Sequence, residues 1–168
     1  MTAPSRTALP PAGTIAGTGE HQLVVFELGT ERYGLDIAVV HEIIRHQPVT
    51  AVPQAPAFLD GVINLRGWIV PVVDLRRRLG MTAAAVTRDS RIVVTEVEGA
   101  RVGLIVDGVS EVRMVPGAAI ERPPAAATLG DASCVRGIAK LDDRLVILLD
   151  LGGLFAEADR ATLAATGT

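Results

Sequence analysis

Short apolar runs separated by turn-forming residues recur along the chain from about residue 22. Residues 23–28 (LVVFEL) predict a strand, residues 29–32 a turn, and residues 33–37 (YGLDI) a second strand. Long amphipathic helices between strands, which are typical of parallel sheets, do not occur in the pattern. The alternation therefore predicts an all-β protein built from short antiparallel strands.

A short helix is expected after the second strand. The Asp36 side chain can accept hydrogen bonds from the N–H groups that the start of a helix leaves unpaired. Four apolar residues then fall on one side of such a helix: Ile37, Val40, Ile43 and Ile44. Pro48 ends it, because proline cannot continue a helix.

Residues 61–67 (GVINLRG) predict the turn of a β-hairpin. An apolar pair leads into a tetrapeptide containing Asn and Gly, which tolerate the positive φ of tight turns, and the apolar run 68–73 follows at once. The turn places Arg66, with its five N–H donors, at the tip of a stiff element. Arg66 either pairs locally with Asp60 or Asp74, or contacts a partner.

The second half of the chain repeats the first. Leu23 aligns with Ile92 at an offset of 69 residues, which places LVVFEL over IVVTEV. The same offset pairs Arg32 with Arg101, Gly34 with Gly103, Leu35 with Leu104, Val40 with Val109 and Glu42 with Glu111. A second block aligns at an offset of 76 residues and pairs Gly61 with Gly137 and Asp74 with Asp150. The blocks keep their order, which indicates a duplication and predicts that the hairpins 62–73 and 138–149 superpose.

The two hairpins differ at their tips. The first reads NLRG at residues 64–67 and the second reads KLDD at residues 140–143. Both segments keep the hairpin pattern, but Arg66 at the first tip is replaced by the acidic pair Asp142 and Asp143 at the second. This difference indicates that the first tip binds a partner and that the second merely turns.

The duplication predicts two antiparallel β-lobes, at about residues 21–80 and 90–155, joined by a loop at 81–90. Each lobe alone would bury too little surface to be comfortably stable. We therefore expect the lobes to share an apolar seam. Candidates for this seam are Val40, Ile43 and Val109.

The ordered domain is expected to span residues 21–156. Residues 1–20 and 157–168 have the small, polar or Pro/Gly-rich composition of a disordered arm and tail.

Composition excludes several classes of function. Hydrophobic residues make up 49 % of the chain and aromatic residues only 3 %, which predicts an aliphatic core. The net charge of −3 and the scarcity of stacking aromatics argue against a nucleic-acid partner. No apolar run approaches the ~20 residues of a membrane span, and no signal-peptide core is present, so we expect a soluble cytoplasmic protein without direct membrane insertion.

No catalytic or metal-binding pattern is indicated. His41 and His46 lie five residues apart, a spacing unsuited to a shared metal site on a helix, and His21 is distant in sequence. Cys134, the single cysteine, has no evident base beside it and fits a reducing compartment. We therefore expect neither an enzyme nor a cofactor.

A set of motifs occurs in order along the chain: YGLDI at 33–37, VHEI at 40–43, VP at 52–53 with Pro56, GVINLRG at 61–67, IVPVVDL at 69–75, VDGVSEV at 106–112 and LVILLDL at 145–151. Over about residues 22–155, this ordered set resembles the CheW family of bacterial chemotaxis coupling proteins. The resemblance implies two SH3-like five-stranded β-barrels packed side by side, with short helical turns and some exchange of strands. It also implies a non-catalytic adaptor between chemoreceptors and the regulatory domain of a CheA-type histidine kinase, recruited to membrane-associated receptor arrays.

The same resemblance implies where the partners bind. The cytoplasmic hairpin tip of the receptor is expected in the groove between the lobes, against Val40, Glu42, Ile43, Asn64, Arg66 and Val106. The kinase is expected at the strand ends that carry Val24, Ile37, Val40 and Val109. The apolar residues of both sets also suit the core, and Glu42 and Arg66 also suit a pair with each other.

A related interaction module is the remaining alternative, either the coupling domain of a larger kinase or a protein of another receptor system. A chain of 168 residues leaves no room for an ATP-binding domain, which favours the separate adaptor.

Overall fold

The computed structural model describes four stretches of the chain: residues 19–82, 84–97, 99–122 and 134–154. The expected tail at 157–168 lies outside these residues. The expected arm at 1–20 also lies outside them, apart from Gly19 and from Glu20, which begins the first strand.

Strands dominate the described residues. The first half of the chain forms β1 (Glu20–Leu28), β2 (Glu31–Asp36), β3 (Val40–Arg45), β4 (Leu59–Leu65) and β5 (Trp68–Asp74). The second half forms β6 (Arg91–Val97), β7 (Ala100–Val106), β8 (Gly108–Pro116), β9 (Ile120–Glu121), β10 (Val135–Leu141) and β11 (Arg144–Leu149). One-turn helices follow β5 and β11: α1 (Leu75–Arg78) and α2 (Leu151–Leu154). The prediction of an all-β fold with short helical turns is confirmed.

The strands form two sheets, and each sheet takes strands from both halves of the chain. Sheet I has the order β8-β1-β2-β11-β10-β9, and sheet II has the order β3-β6-β7-β5-β4. The pairs β2–β11 and β5–β7 are parallel, and they join strands of different halves. The first two strands of each half therefore lie in one sheet, and the later strands of that half lie in the other. The duplicated halves are therefore continuous segments of sequence, but neither half corresponds to a single sheet.

The duplication is visible in the strand pairing. Ile63 pairs with Val70 in the β4–β5 hairpin, and Ala139 pairs with Val146 in the β10–β11 hairpin, at the offset of 76 residues. A register shift occurs near the start of both hairpins, beside the glycines that the alignment matched. The two hairpins therefore have matching strand registers, in agreement with the duplication.

A second equivalence joins the halves in the parallel pairs. Gly34 pairs with Leu148, and Gly103 pairs with Val72. A Cβ atom on Gly103 would lie 2.7 Å from Ile92 Cγ2, and one on Gly34 would lie 3.0 Å from Leu148 Cδ2. Both positions are crowded by neighbouring side chains, which explains why glycine occupies them in each half.

The buried apolar residues form three clusters. One lies within sheet I and contains Leu23, Val25, Val115, Ile120, Ala139, Leu141, Val146 and Leu148. A second lies within sheet II and contains Ile63, Leu65, Val70, Val72, Ile92 and Val94. The third, which we call the seam core, joins the two sheets and includes Phe26, Leu28, Leu35 and Leu149 of sheet I and Leu59, Val73, Val93, Val102, Leu104 and Val106 of sheet II. The expected shared seam is therefore present.

Two of the three predicted seam residues contribute to it. Val40 and Val109 are partly buried and pack against the seam core. Ile43 remains 36 % exposed on β3, so its assignment to the seam is wrong.

The predicted helix after Asp36 is corrected by the structure. Asp36 Oδ1 does accept a hydrogen bond from the Ala38 amide at 2.9 Å, but the capped element is a single 3₁₀ turn, Ile37–Val39. The chain then continues as β3, which forms one edge of sheet II. Because β-branched residues favour pleated strands, the valines and isoleucines of this segment favour β3 over a helix.

Candidate functional site

The β4–β5 hairpin ends in a turn with positive φ at both central residues. These φ values are 50° for Arg66 and 89° for Gly67, as in a type I′ turn. The Oδ1 atom of Asn64 accepts a hydrogen bond from the Gly67 amide at 2.8 Å, which fixes the turn. Arginine is an uncommon residue at positive φ, so the guanidinium is placed at the tip at some conformational cost.

Arg66 forms an ion pair with Glu42 on β3. The Nη2 atom of Arg66 donates to the Oε2 atom of Glu42, so the local partner is neither Asp60 nor Asp74. The Arg66 side chain is 66 % exposed and that of Glu42 is 25 % exposed. Since β3 and β4 are the two edges of sheet II, the pair closes this sheet upon itself.

The second hairpin tip forms the same closure with the charges reversed. Asp142 and Asp143 have φ values of 52° and 64°. The Asp142 carboxylate accepts two hydrogen bonds from Arg113 of β8, at 2.5 and 3.1 Å. These hydrogen bonds hold the pKa of Asp142 below its ordinary value. The expectation that the second tip merely turns is therefore corrected, because it pairs with an edge strand as well.

The predicted receptor-binding residues separate into an exposed group and a buried residue. Asn64 and Arg66 are exposed at the hairpin tip, and Glu42 and Ile43 are neighbours on β3. Val40 lies partly buried at the margin of the seam core. Val106 has no exposed surface, so its assignment as a partner contact is corrected: it is a core residue.

The predicted kinase-binding residues show a similar division. Val24 is 1 % exposed within β1, which makes it a core residue as well. Ile37 lies in the 3₁₀ turn where the chain passes from sheet I to sheet II, and Val109 lies where it returns from sheet II to sheet I. Ile37, Val40 and Val109 are all partly exposed at these crossings.

A polar link ties the two sheets together where the chain returns to sheet I. Arg76 donates to both carboxylate oxygens of Asp107, from Nε at 3.0 Å and from Nη2 at 2.5 Å. The Gly29 amide, in the β1–β2 turn, donates to Asp107 Oδ2 at 2.6 Å. Hydrogen bonding from Arg76 is the largest effect on the pKa of Asp107 and lowers it, against a partial desolvation that raises it.

A polar cavity of about 450 Å³ opens beside this link. Side chains of both sheets line it, among them Glu27, Arg76, Arg91, Asp107, Val109 and Ser110. We call it the inter-sheet cavity. The described surface thus carries three polar features: the two hairpin tips and this cavity between the sheets.

Sequence reasoning missed an apolar surface on β5. Trp68 and Ile69 are 61 % and 40 % exposed, and Arg101 stacks over the indole ring at 5.1 Å from its centroid. Trp68 and Ile69 belong to the predicted hairpin, but nothing in the apolar run marks where burial ends. The single tryptophan of the chain therefore lies on the surface, beside the tip that carries Arg66.

Two further features are absent from the described part of the chain. There, no group of three or more His, Cys, Asp or Glu side chains is arranged to hold a metal ion. Among the same residues, no helix is both long and apolar enough to cross a membrane. Cys134 is buried, with 8 % of its surface exposed.

The fold and its surface define a scaffold-type interaction module, in which two sheets are locked together by a common core and present charged hairpin tips and half-exposed apolar strands. A family model described as the CheW-like domain matches residues 22–159. The chain therefore belongs to the CheW-like domain family. Its role is that of a coupling scaffold in chemotaxis signalling.

Individual relatives agree with this assignment. The chain is 38 % identical over 141 residues to a probable chemotaxis protein CheW of Rhizobium etli, a match that covers 84 % of this chain and 91 % of the relative. It is 37 % identical over 142 residues to the chemotaxis protein CheW of Rhizobium meliloti, with 84 % and 92 % covered. The crystal structure of the scaffolding protein TtCheW from Thermoanaerobacter tengcongensis matches with a TM-score of 0.76 and 44 % identity, over 82 % of this chain and 93 % of that one.

Proposed function

We propose that this chain joins the cytoplasmic hairpin tip of a chemoreceptor to the regulatory domain of a CheA-type histidine kinase, at membrane-associated receptor arrays, without catalysing a reaction itself. The observation that carries the proposal is the Glu42–Arg66 pair, which lies at an exposed hairpin tip. Glu42 belongs to the edge strand β3, where the next residue, Ile43, is half-exposed on the other face of the strand. An apolar surface with a few fixed charges suits the docking of a helix.

The receptor surface of this proposal comprises Val40, Glu42, Ile43, Asn64 and Arg66. Ile43 supplies exposed apolar area, and Arg66 supplies donors that its single bond to Glu42 leaves available. Val106 supports this surface from within the seam core.

The kinase surface comprises Ile37, Val40 and Val109, at the two crossings between the sheets. Val24 is buried in β1 between Leu35 and Val112 of the neighbouring strands, so its contribution is indirect, through the core. Because Val40 belongs to both surfaces, its truncation should weaken both contacts.

Reconstitution with purified kinase and receptor-containing membranes tests the proposal. We expect kinase autophosphorylation to rise with receptor only when this chain is present, and we expect the chain alone neither to hydrolyse ATP nor to accept a phosphoryl group. Hydrolysis or phosphoryl acceptance by the chain alone, or kinase control that is indifferent to its presence, would overturn the proposal.

Substitution at the hairpin tip sharpens the test. Arg66→Glu should weaken ternary assembly, while its unfolding midpoint stays close to that of the wild type, because substitutions at exposed sites usually shift stability by within ~0.5 kcal/mol. Arg144→Glu is the matched control for receptor binding, since Arg144 is an exposed arginine at the other hairpin. If Arg66→Glu loses ~2 kcal/mol of folding stability with assembly intact, Arg66 is a structural strut.

A further inference from the structure

Two arginines face each other at the end of the β3–β6 ladder. Arg45 and Arg91 are directly opposed in this antiparallel pair, so their side chains project from the same face of sheet II. Like charges at directly opposed positions are destabilising. The pair is therefore a local cost to the fold.

Neither guanidinium is neutralised by another described residue. The ion pairs seen among those residues have Arg66, Arg76, Arg77, Arg113 and Lys140 as cations, and neither Arg45 nor Arg91 takes part in them. Arg91 Nη1 donates to the carbonyls of Arg88 and Ser90, at 2.8 and 2.9 Å, which positions the group without cancelling its charge.

The acidic residues that share the inter-sheet cavity with Arg91 have other partners or form no ion pair with it. Asp107 pairs with Arg76, and Glu27 accepts a hydrogen bond from the Ser110 hydroxyl at 2.9 Å. Asp89 lines the same cavity but forms no ion pair with Arg91. Among the described residues, therefore, no ion pair compensates either of the two positive charges.

The arginine pair lies where the seam core meets solvent. Ile43 pairs with Val93, which is buried in the seam core, and side chains two residues apart on a strand share a face. Arg45 therefore projects from the same face as Ile43, and Arg91 from the same face as Val93. An apolar side chain and a double positive charge lie side by side along β3.

We infer that Arg45 and Arg91 together bind an acidic side chain on the receptor helix, one helical turn from an apolar residue that contacts Ile43. This inference rests on the proposed receptor contact. It specifies which residues the receptor helix must carry at that contact. Residues two apart on a strand are ~6.6 Å apart along its axis, and residues four apart on a helix are ~6 Å apart, so an apolar and an acidic residue at that helical spacing match Ile43 and Arg45. Arginine suits such a partner because its planar donors meet carboxylate oxygens in pairs.

Calorimetric titration with the soluble cytoplasmic fragment of a chemoreceptor from the same organism tests the inference at low and at high salt. Arg45→Glu should weaken binding roughly fivefold to tenfold at low salt, and less at high salt, because screening weakens exposed charge pairs. Arg45→Lys should retain part of the affinity. Arg144→Glu, the matched control on sheet I, should bind like the wild type.

Two further measurements separate a contact from a structural effect. Arg45→Ala should fold with equal or greater stability than the wild type, since it removes a like-charge pair. A receptor fragment with its acidic residue reversed to lysine should bind Arg45→Glu better than it binds the wild type.

The outcomes distinguish this inference from the proposed function. Wild-type affinity in Arg45→Glu, with the wild type itself binding the fragment, overturns the inference and leaves the proposed function standing. Loss of affinity for the kinase regulatory domain alone also overturns it, in favour of the other partner. Failure of the wild type to bind any receptor fragment overturns both.

Discussion

Arg66 and Asp142 occupy the same position of two equivalent turns, with φ values of 50° and 52°, and carry opposite charges. Arg66 pairs with Glu42 on β3, and Asp142 pairs with Arg113 on β8. Each pair joins a hairpin tip to an edge strand of its own sheet. Both tip contacts therefore join opposite charges, but the charge at the tip is positive in sheet II and negative in sheet I.

Exchanging the charges of one pair separates folding from recognition. Glu42→Arg and Arg66→Glu should each lower the free energy of unfolding by less than about 1 kcal/mol, because exposed ion pairs contribute little. The double variant should regain the lost stability in urea denaturation but not the affinity for receptor. Recovery of binding in the double variant would show that receptor binding does not depend on the sign of the charge at position 66.

Gly61→Ala should be among the most damaging small substitutions in the chain. A Cβ atom there would lie 2.2 Å from the Thr50 carbonyl oxygen, and the φ of Gly61 is +152°. We expect a loss of about 3 kcal/mol or more, measured by urea denaturation, because the clash is with backbone that bridges to Val62. Gly67→Ala is the control: its φ is +89° but nothing lies within 4 Å, so only the cost of a left-handed backbone, roughly 1–2 kcal/mol, applies. Equal losses at the two glycines would contradict the steric argument.

Acid should weaken the link between the sheets through Asp107. Its pKa is lowered in the folded protein, chiefly by hydrogen bonding from Arg76. A carboxyl with a depressed folded pKa stabilises the protein above its unfolded pKa, and this contribution disappears as pH falls below about 4 towards the folded value. Asp107→Asn should be less stable than the wild type at pH 7, and the difference should shrink as the pH falls through this window. If the difference in stability between Asp107→Asn and the wild type does not change with pH, the charge of Asp107 does not contribute to the stabilising effect of the link.

The protein should unfold in a single transition. Strands β1 and β2 take their outer neighbours β8 and β11 from the second half of the chain, so a fragment of residues 21–80 lacks the strands that flank them. We expect this fragment to remain unfolded by circular dichroism, and we expect one calorimetric peak for the intact chain. Two separate peaks, or a folded fragment, would contradict the role of the seam core.

The strands and hairpins could be predicted from the sequence because their determinants are local. The Asn-containing turn between two apolar runs specifies the β4–β5 hairpin, and the repeat then predicts the β10–β11 hairpin. The exchange of strands could not be derived from the residues, because pairing of β2 with β11 depends on segments more than 100 residues apart in sequence. The helix predicted after Asp36 failed because helical spacing of apolar residues was weighed above their β-branching.

The site was predictable to the extent that charged residues stay exposed. Glu42 and Arg66 were recognised as a possible pair, and they form one. Val24 and Val106 were misassigned because the sequence of a short apolar strand does not distinguish a valine in the core from a valine at an interface. The pairing of Arg45 with Arg91 could not be predicted, because it depends on the register between β3 and β6.

The exchanged strands give the two halves of this chain the relationship of subunits in a domain-swapped dimer. A free half lacks the outer strands of each sheet, and a second copy would have to supply them, as in a symmetric homodimer. Joining two copies through the segment at residues 81–90 makes such an association intramolecular, so it does not depend on protein concentration. A symmetric dimer must carry the same residue at both hairpin tips, whereas the joined halves carry Arg66 at one tip and Asp142 at the other.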